Sequence, residues 1–113
     1  MSPITTHILD LALGKPAISI AVVLEQAQNG KWRQIAEGKT NGKGRIATLL
    51  PDGHKLQKAI YRLTFELKEY FVKQKRKTFY PYVVIVFEIE DTKQHYHVPL
   101  LLSEFGYSTY RGS

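Results

Sequence analysis

Tyr61-Arg62-Leu63-Thr64-Phe65-Glu66-Leu67-Lys68 decides the fold class of this chain. Tyr61, Leu63, Phe65 and Leu67 alternate with Arg62, Thr64, Glu66 and Lys68, and only an extended backbone sends every second side chain to the same side. The stretch is therefore a strand with one face in a core and the other in water. Downstream, Lys68 to Lys75 has room for about two helical turns, with Tyr70 and Phe71 on the inner side. Phe79-Tyr80-Pro81 breaks that helix. Tyr82 to Ile89 follows as an apolar run on both faces up to Glu88, the pattern of a central strand or of one covered by another subunit.

Upstream of the deciding strand the same grammar repeats. Ala17 to Leu24 reads as a strand with Ile18, Ile20, Val22 and Leu24 on one face. Asn29-Gly30 is a hairpin signal, and Lys31 to Glu37 is its return strand. Thr40-Asn41-Gly42-Lys43-Gly44 is a second turn that leads to Arg45 and an expected strand from Ile46 to Leu50, which Pro51-Asp52-Gly53 ends. His54 to Ile60 fits neither period. Toward the end, His95-Tyr96-His97-Val98-Pro99-Leu100-Leu101-Leu102 places His95, His97, Pro99 and Leu101 on one face and Tyr96, Val98, Leu100 and Leu102 on the other. Both faces turn apolar, which suggests a subunit contact with His97 near its margin, and Pro99 suggests an edge or end position. A glycine-marked turn at Gly106 then leads into a last extended stretch. Many short strands, regular turn signals and one helix candidate predict an all-β chain, an antiparallel β-sandwich with one short helix.

Composition narrows the function classes. With 113 residues and neither linker nor repeat, residues 1–113 read as a single domain large enough to bury a core. There is no cysteine, which removes disulfides, thiolate nucleophiles and Cys-based zinc sites. Neither a basic-then-apolar leader nor an apolar run of about 20 residues is visible, so a soluble cytoplasmic protein is expected, or a periplasmic one after removal of a signal peptide. The net charge of +6 and the run Lys73-Gln74-Lys75-Arg76-Lys77 raise a nucleic-acid reading. Tyr70, Phe71, Phe79 and Tyr80 flank that run, yet at the edges of a helix and a strand their ordinary role is packing, so no nucleic-acid partner is expected. A basic surface would still steer an anionic small molecule.

The side chains with chemistry lie apart in the sequence. His7 sits in a short strand-like opening, Ile4-Thr5-Thr6-His7-Ile8-Leu9-Asp10. Arg45 follows a turn with two glycines, and His97 lies in the late apolar strand. The closing tetrapeptide Tyr110-Arg111-Gly112-Ser113 brings a phenol, a guanidinium and a hydroxyl where a chain end ordinarily frays. Singly, each has an ordinary structural explanation.

Taken as a set, Thr6-His7-Ile8-Leu9-Asp10, Gly14-Lys15-Pro16-Ala17, Gly44-Arg45, Phe79-Tyr80-Pro81, the His95 to Ser103 stretch and Tyr107 to Ser113 resemble the transthyretin-related family, and within it the 5-hydroxyisourate hydrolases. The resemblance runs from residue 5 to residue 113, and the closing tetrapeptide is its most specific marker. It implies an eight-stranded transthyretin-like sandwich that assembles as a homotetramer, with active sites at the dimer-dimer interface. It implies hydrolysis of 5-hydroxyisourate to 2-oxo-4-hydroxy-4-carboxy-5-ureidoimidazoline, on the way from urate to allantoin, with no metal and no organic cofactor. The implied catalytic positions are His7, Arg45, His97 and Ser113, and the implied substrate-binding positions are His7, Arg45, Tyr110 and Arg111.

Elementary chemistry agrees with those residue types. Opening a ring at an acyl C–N bond requires a water, a base to deprotonate it, and cationic or donor groups where the carbonyl oxygen becomes anionic. Histidine titrates in the useful range, and arginine offers a permanently charged planar fork. One departure falls in the arginine turn, where the family often has an aspartate before Gly-Arg and this chain has Gly42-Lys43-Gly44. Three other readings compete with it: a non-catalytic carrier using the same channel, a metalloenzyme built on His95, His97 and a further histidine, and a structural sandwich module. The first and third leave the histidine, arginine and tail set unexplained. The second lacks the three or four ligands a zinc site needs.

Overall fold

The computed structural model describes residues 2–113. Eight strands and one helix follow one another as β1 (Ile4–Asp10), β2 (Lys15–Pro16), β3 (Ala21–Gln28), β4 (Lys31–Lys39), β5 (Ala59–Glu66), α1 (Lys68–Val72), β6 (Tyr82–Ile89), β7 (Tyr96–Ser103) and β8 (Gly106–Thr109). They form two four-stranded sheets, ordered β2-β1-β7-β8 and β4-β3-β5-β6. Pairing is antiparallel except between β1 and β7, which run parallel with Thr5 opposite His97 and His7 opposite Pro99.

The alternation in the deciding strand has the predicted effect. Tyr61, Leu63, Phe65 and Leu67 are fully or almost fully buried and meet Ile4, Ile8, Val22, Leu24 and Leu100 from the other strands in one core. Burial of this kind stabilises by about 1.5–3 kcal/mol per large side chain relative to its exposure. The inward set of β1 is Ile4, Thr6, Ile8 and Asp10 and that of β7 is Tyr96, Val98, Leu100 and Leu102. The outward set of those two neighbours therefore contains Thr5, His7, His97 and Pro99, which puts the histidines on the sheet's outer surface.

Four local expectations require correction. Ile18 is half exposed rather than buried with Ile20, because Ser19 adopts φ 62° and breaks the alternation; β3 begins only at Ala21. The residues from Ile46 to Leu50 form turns, not a strand: Ile46, Leu49 and Leu50 are the buried ones, a three-and-four spacing that a turn satisfies and a strand does not. Of the two placements expected for β6, the central one is not found: β6 is an edge strand of its sheet, and its outward residues Tyr82, Val84 and Val86 remain exposed. Pro99 lies in the interior of β7, between β1 and β8. Its missing N–H is tolerated because regular β7–β8 pairing stops at Leu100 opposite Thr109 and returns as a single bridge between His97 and Gly112. Thr109 Oγ1 donates to the Pro99 carbonyl at 2.7 Å, so the acceptor at this interruption is satisfied.

Candidate active site

The outer face of the β1–β7 pair carries the site. His97 and Thr5 are direct neighbours across the parallel ladder, and Thr5 Oγ1 lies 2.8 Å from His97 Nδ1 and 3.0 Å from His95 Nε2. His7 is two positions along β1 on the same face and forms a bridge with Arg45. A groove of about 370 Å³ runs over this surface, lined by Thr5, Thr6, Arg45, Ile46, Ala47, His95, His97 and Ser113. Residues separated by most of the chain thus reach one place, with His7 beside them.

Arg45 is delivered by a turn whose geometry only glycine permits. Gly44 has φ +73°, and a Cβ there would lie 2.5 Å from the Ile8 carbonyl oxygen and 3.0 Å from Pro16 Cβ. The close approach lets Ile8 N–H donate to the Gly44 carbonyl at 2.8 Å, which ties the turn to β1. Asn41 supplies the side-chain bracing that the absent aspartate would give. Its Oδ1 accepts from the Lys43 N–H at 2.9 Å and the Arg45 N–H at 3.1 Å, while its own N–H donates to the Arg45 carbonyl at 2.7 Å. Among the described residues no carboxylate forms an ion pair with the exposed Arg45 guanidinium. Its charge is available to a ligand in the groove.

The tail is held against His97 by close packing. Gly112 N–H donates to the His97 carbonyl at 2.8 Å. A Cβ on Gly112 would fall 2.5 Å from His97 Cδ2 and 3.4 Å from Pro99 Cγ, so only glycine lets the tail lie on the imidazole. Arg111 anchors the other side: its Nη2 donates to Gln94 Oε1 at 2.6 Å, and its guanidinium stacks 4.4 Å from the Tyr96 ring centroid. Ser113 is thereby carried into the groove. Tyr110 and Arg111 themselves line an adjoining pocket of about 280 Å³ beside β6 rather than the histidine groove.

Burial and neighbouring charge favour the neutral form of both imidazoles. Burial lowers the His7 pKa below its usual 6.5, and the Arg45 charge lowers it further, against a hydrogen bond with the Lys43 backbone. Burial is also the largest cause at His97, followed by His7, His95 and Arg45, against a hydrogen bond with the Thr5 backbone. Two neutral imidazoles beside an unpaired guanidinium, with a hydroxyl from the tail, make a site able to deprotonate water next to a bound anion. Among the described residues no group of three or more His, Asp or Glu side chains is placed to hold a metal ion. Among the described residues no helix is long and apolar enough to cross a membrane.

Of the expected residues, then, Arg45, His97 and Ser113 share one groove with His7 adjacent, while Tyr110 and Arg111 face another. Thr5, Asn41 and Gln94 were not anticipated. Only the Asx-turn chemistry of Asn41 two residues ahead of Lys43 carried a local signal for its part.

Comparison with known proteins places the sequence and the fold. The profile of the HIUase/Transthyretin family matches residues 4–112. A 5-hydroxyisourate hydrolase of Salmonella dublin is 46% identical over 110 residues, 97% of this chain and 80% of the relative. The structure of Klebsiella pneumoniae 5-hydroxyisourate hydrolase superposes with a TM-score of 0.82 at 37% identity, covering 97% of this chain and 98% of that one. Transthyretin from Sparus aurata superposes with a TM-score of 0.91 at 33% identity, covering 99% and 97%. With the sandwich, the Gly44-Arg45 turn and the tail laid on His97 all in place, the match over nearly the whole length means that this chain belongs to the HIUase/Transthyretin family.

Proposed function

We propose that this protein hydrolyses 5-hydroxyisourate to 2-oxo-4-hydroxy-4-carboxy-5-ureidoimidazoline in the breakdown of urate. The backbone fold is common to the hydrolase of Klebsiella and the transthyretin of Sparus aurata, so the side chains decide. The observation that carries the reading is the meeting of Arg45, His97 and Ser113 in one groove with His7 alongside.

In the proposed reaction His97, assisted by His7, takes a proton from water. The water oxygen bonds to the acyl carbon of the six-membered ring, the C–N bond breaks, and the departing nitrogen receives the proton. Arg45 binds the anionic ring and the oxygen on which charge develops, an interaction worth more in a sheltered groove than in bulk water. Ser113 hydrogen-bonds the reacting water or ring. Arg111 serves binding through the tail, since its guanidinium is taken up by Gln94 and Tyr96. Tyr110 reaches substrate only in an assembly, because within one protomer it lines the pocket beside β6.

That assembly is proposed to be a homotetramer with its sites at the dimer-dimer interface. Two features favour it: the exposed apolar residues of edge strand β6, and a site lying open on a sheet face where a second sheet would exclude water. A cytoplasmic setting is proposed with it.

The test is an ultraviolet time course in which urate oxidase generates fresh 5-hydroxyisourate. Acceleration of its decay well above the spontaneous rate, in proportion to added protein, is the expected result. A well-folded protein that leaves the decay unchanged contradicts the hydrolase and favours a carrier.

A further inference from the structure

The hydroxyl of Thr5 sits between two imidazole nitrogens, 2.8 Å from His97 Nδ1 and 3.0 Å from His95 Nε2. A hydroxyl has one proton to donate, so it cannot donate to both. Only two arrangements satisfy the trio when both rings are neutral. In one, His97 carries its proton on Nδ1 and donates to Thr5, which donates to His95; Nε2 of His97 is then a bare lone pair. In the other, His95 donates to Thr5, Thr5 donates to His97 Nδ1, and Nε2 of His97 carries the proton and cannot act as a base.

The surroundings favour the first. A hydrogen bond between the Thr5 backbone and the His97 imidazole acts to raise the His97 pKa, the sense of a carbonyl accepting from a ring N–H. His95 is exposed, so its ring is free to take the tautomer that accepts. Thr5 is held in place by the β1–β7 ladder, and its methyl and hydroxyl share one restricted rotor. Gly112 packs against the Cδ2 edge of the ring, and a flip about Cβ–Cγ would exchange Nδ1 with Cδ2 and break the contact with Thr5.

We propose that Thr5 is a positioning residue, whose hydroxyl, with His95 as its acceptor, locks His97 in the tautomer that leaves the Nε2 lone pair free for the reacting water. This rests on the hydrolase reading and adds to it the group that makes His97 a base rather than a donor. The logic is that of an oriented base in which a third group fixes the proton on the far nitrogen. The titratable and charged groups that face His97 are His7 on β1, His95 ahead of β7, and Arg45 from the turn.

The experiment combines kinetics with nitrogen NMR of the full protein labelled at histidine. Wild type is expected to show His97 protonated on Nδ1 near neutral pH. Thr5→Val, which keeps the β-branched shape and removes the hydroxyl, is expected to lower kcat by roughly 10- to 100-fold with KM within about twofold. In Thr5→Val the His97 tautomers should become mixed, and Thr5→Ser should restore most of the rate. A wild-type His97 protonated on Nε2 overturns the proposal even if no variant folds. So does a Thr5→Val protein with full kcat, or one that loses rate with an unchanged tautomer. An inactive wild type would instead count against the hydrolase reading, so the two failures are distinguishable.

Discussion

At the scale of single residues the site depends on what is absent as much as on what is present. Gly112 has no side chain, and that lets the tail rest on His97. Gly112→Ala should push the ring or the tail aside by about an ångström and lower kcat on the order of 100-fold. Because this contact lies on the outer face of the sheet, the melting temperature should stay near that of the wild type; a full-rate Gly112→Ala protein would remove the tail from the account. The pH dependence follows from the neutral imidazoles. His97 and His7 titrate below 6.5, so kcat/KM should be flat through neutrality and fall only on an acid limb with its midpoint below 6.5. Their effect on folding has the same sign: it is fully present above 6.5 and lost as pH falls through the lowered values. A midpoint above 6.5 would mean that the base is another group. His7, Arg45, His97 and Ser113 stood out in the sequence only as a set, through the family resemblance, and the side chains around them did not stand out at all. Thr5 meets His97 through a contact 92 residues distant in the chain, which no local period encodes.

At the scale of elements, alternation was the reliable guide and turns were the weak one. β5 declared itself because Tyr61 to Leu67 obey a period of two without interruption. The stretch from Ile46 to Leu50 misled because Ile46 and Leu50 also satisfy that period, while Leu49, the residue that settles it, is buried by a turn. Pro99 misled for a different reason: proline argues for an edge only where a ladder needs its N–H, and here β8 ends at Thr109 and the tail rejoins at Gly112. The elements around the helix are joined by a buried charge cluster that no motif announced. Asp10 at the end of β1 is fully buried; it accepts from Arg76 Nη1 at 2.8 Å and from the Tyr70 hydroxyl at 2.7 Å. Arg76 also pairs with Glu104 at 3.1 Å in the β7–β8 turn. Burial alone would raise the Asp10 pKa, but the hydrogen bonds from Arg76, Tyr70 and the Leu13 N–H outweigh it and lower it below 3.8. Asp10→Asn should therefore cost about 3 kcal/mol of stability near neutral pH, measured by denaturant unfolding. The difference from wild type should be complete above about pH 4, the unfolded carboxylate range, and shrink as pH falls through the lowered value. An unchanged unfolding midpoint would show that the cluster does not tie these elements together.

At the scale of the whole molecule the basic charge has a different meaning from the one its densest run suggests. Arg76, within the run Lys73 to Lys77, turns inward to Asp10 and Glu104, and Lys73 pairs with Glu69 at 3.0 Å, so the run is no continuous basic stripe. Arg45, by contrast, keeps its charge open to the groove. The proposed tetramer requires a partner for edge strand β6, whose Val86 is exposed on the outer face. Val86→Lys should leave the strand content intact and lower the mass seen by light scattering; an unchanged mass would place the subunit contact elsewhere. The account stands most directly on one comparison: kcat/KM for freshly generated 5-hydroxyisourate, measured side by side for wild type, Arg45→Gln, His97→Ala and a chain lacking Ser113, each with an unchanged circular dichroism spectrum. It predicts a rapid wild type and losses on the order of 100-fold or more in all three variants. Variants that fold normally and retain the wild-type rate would contradict it, because the reaction would then take place somewhere other than this groove.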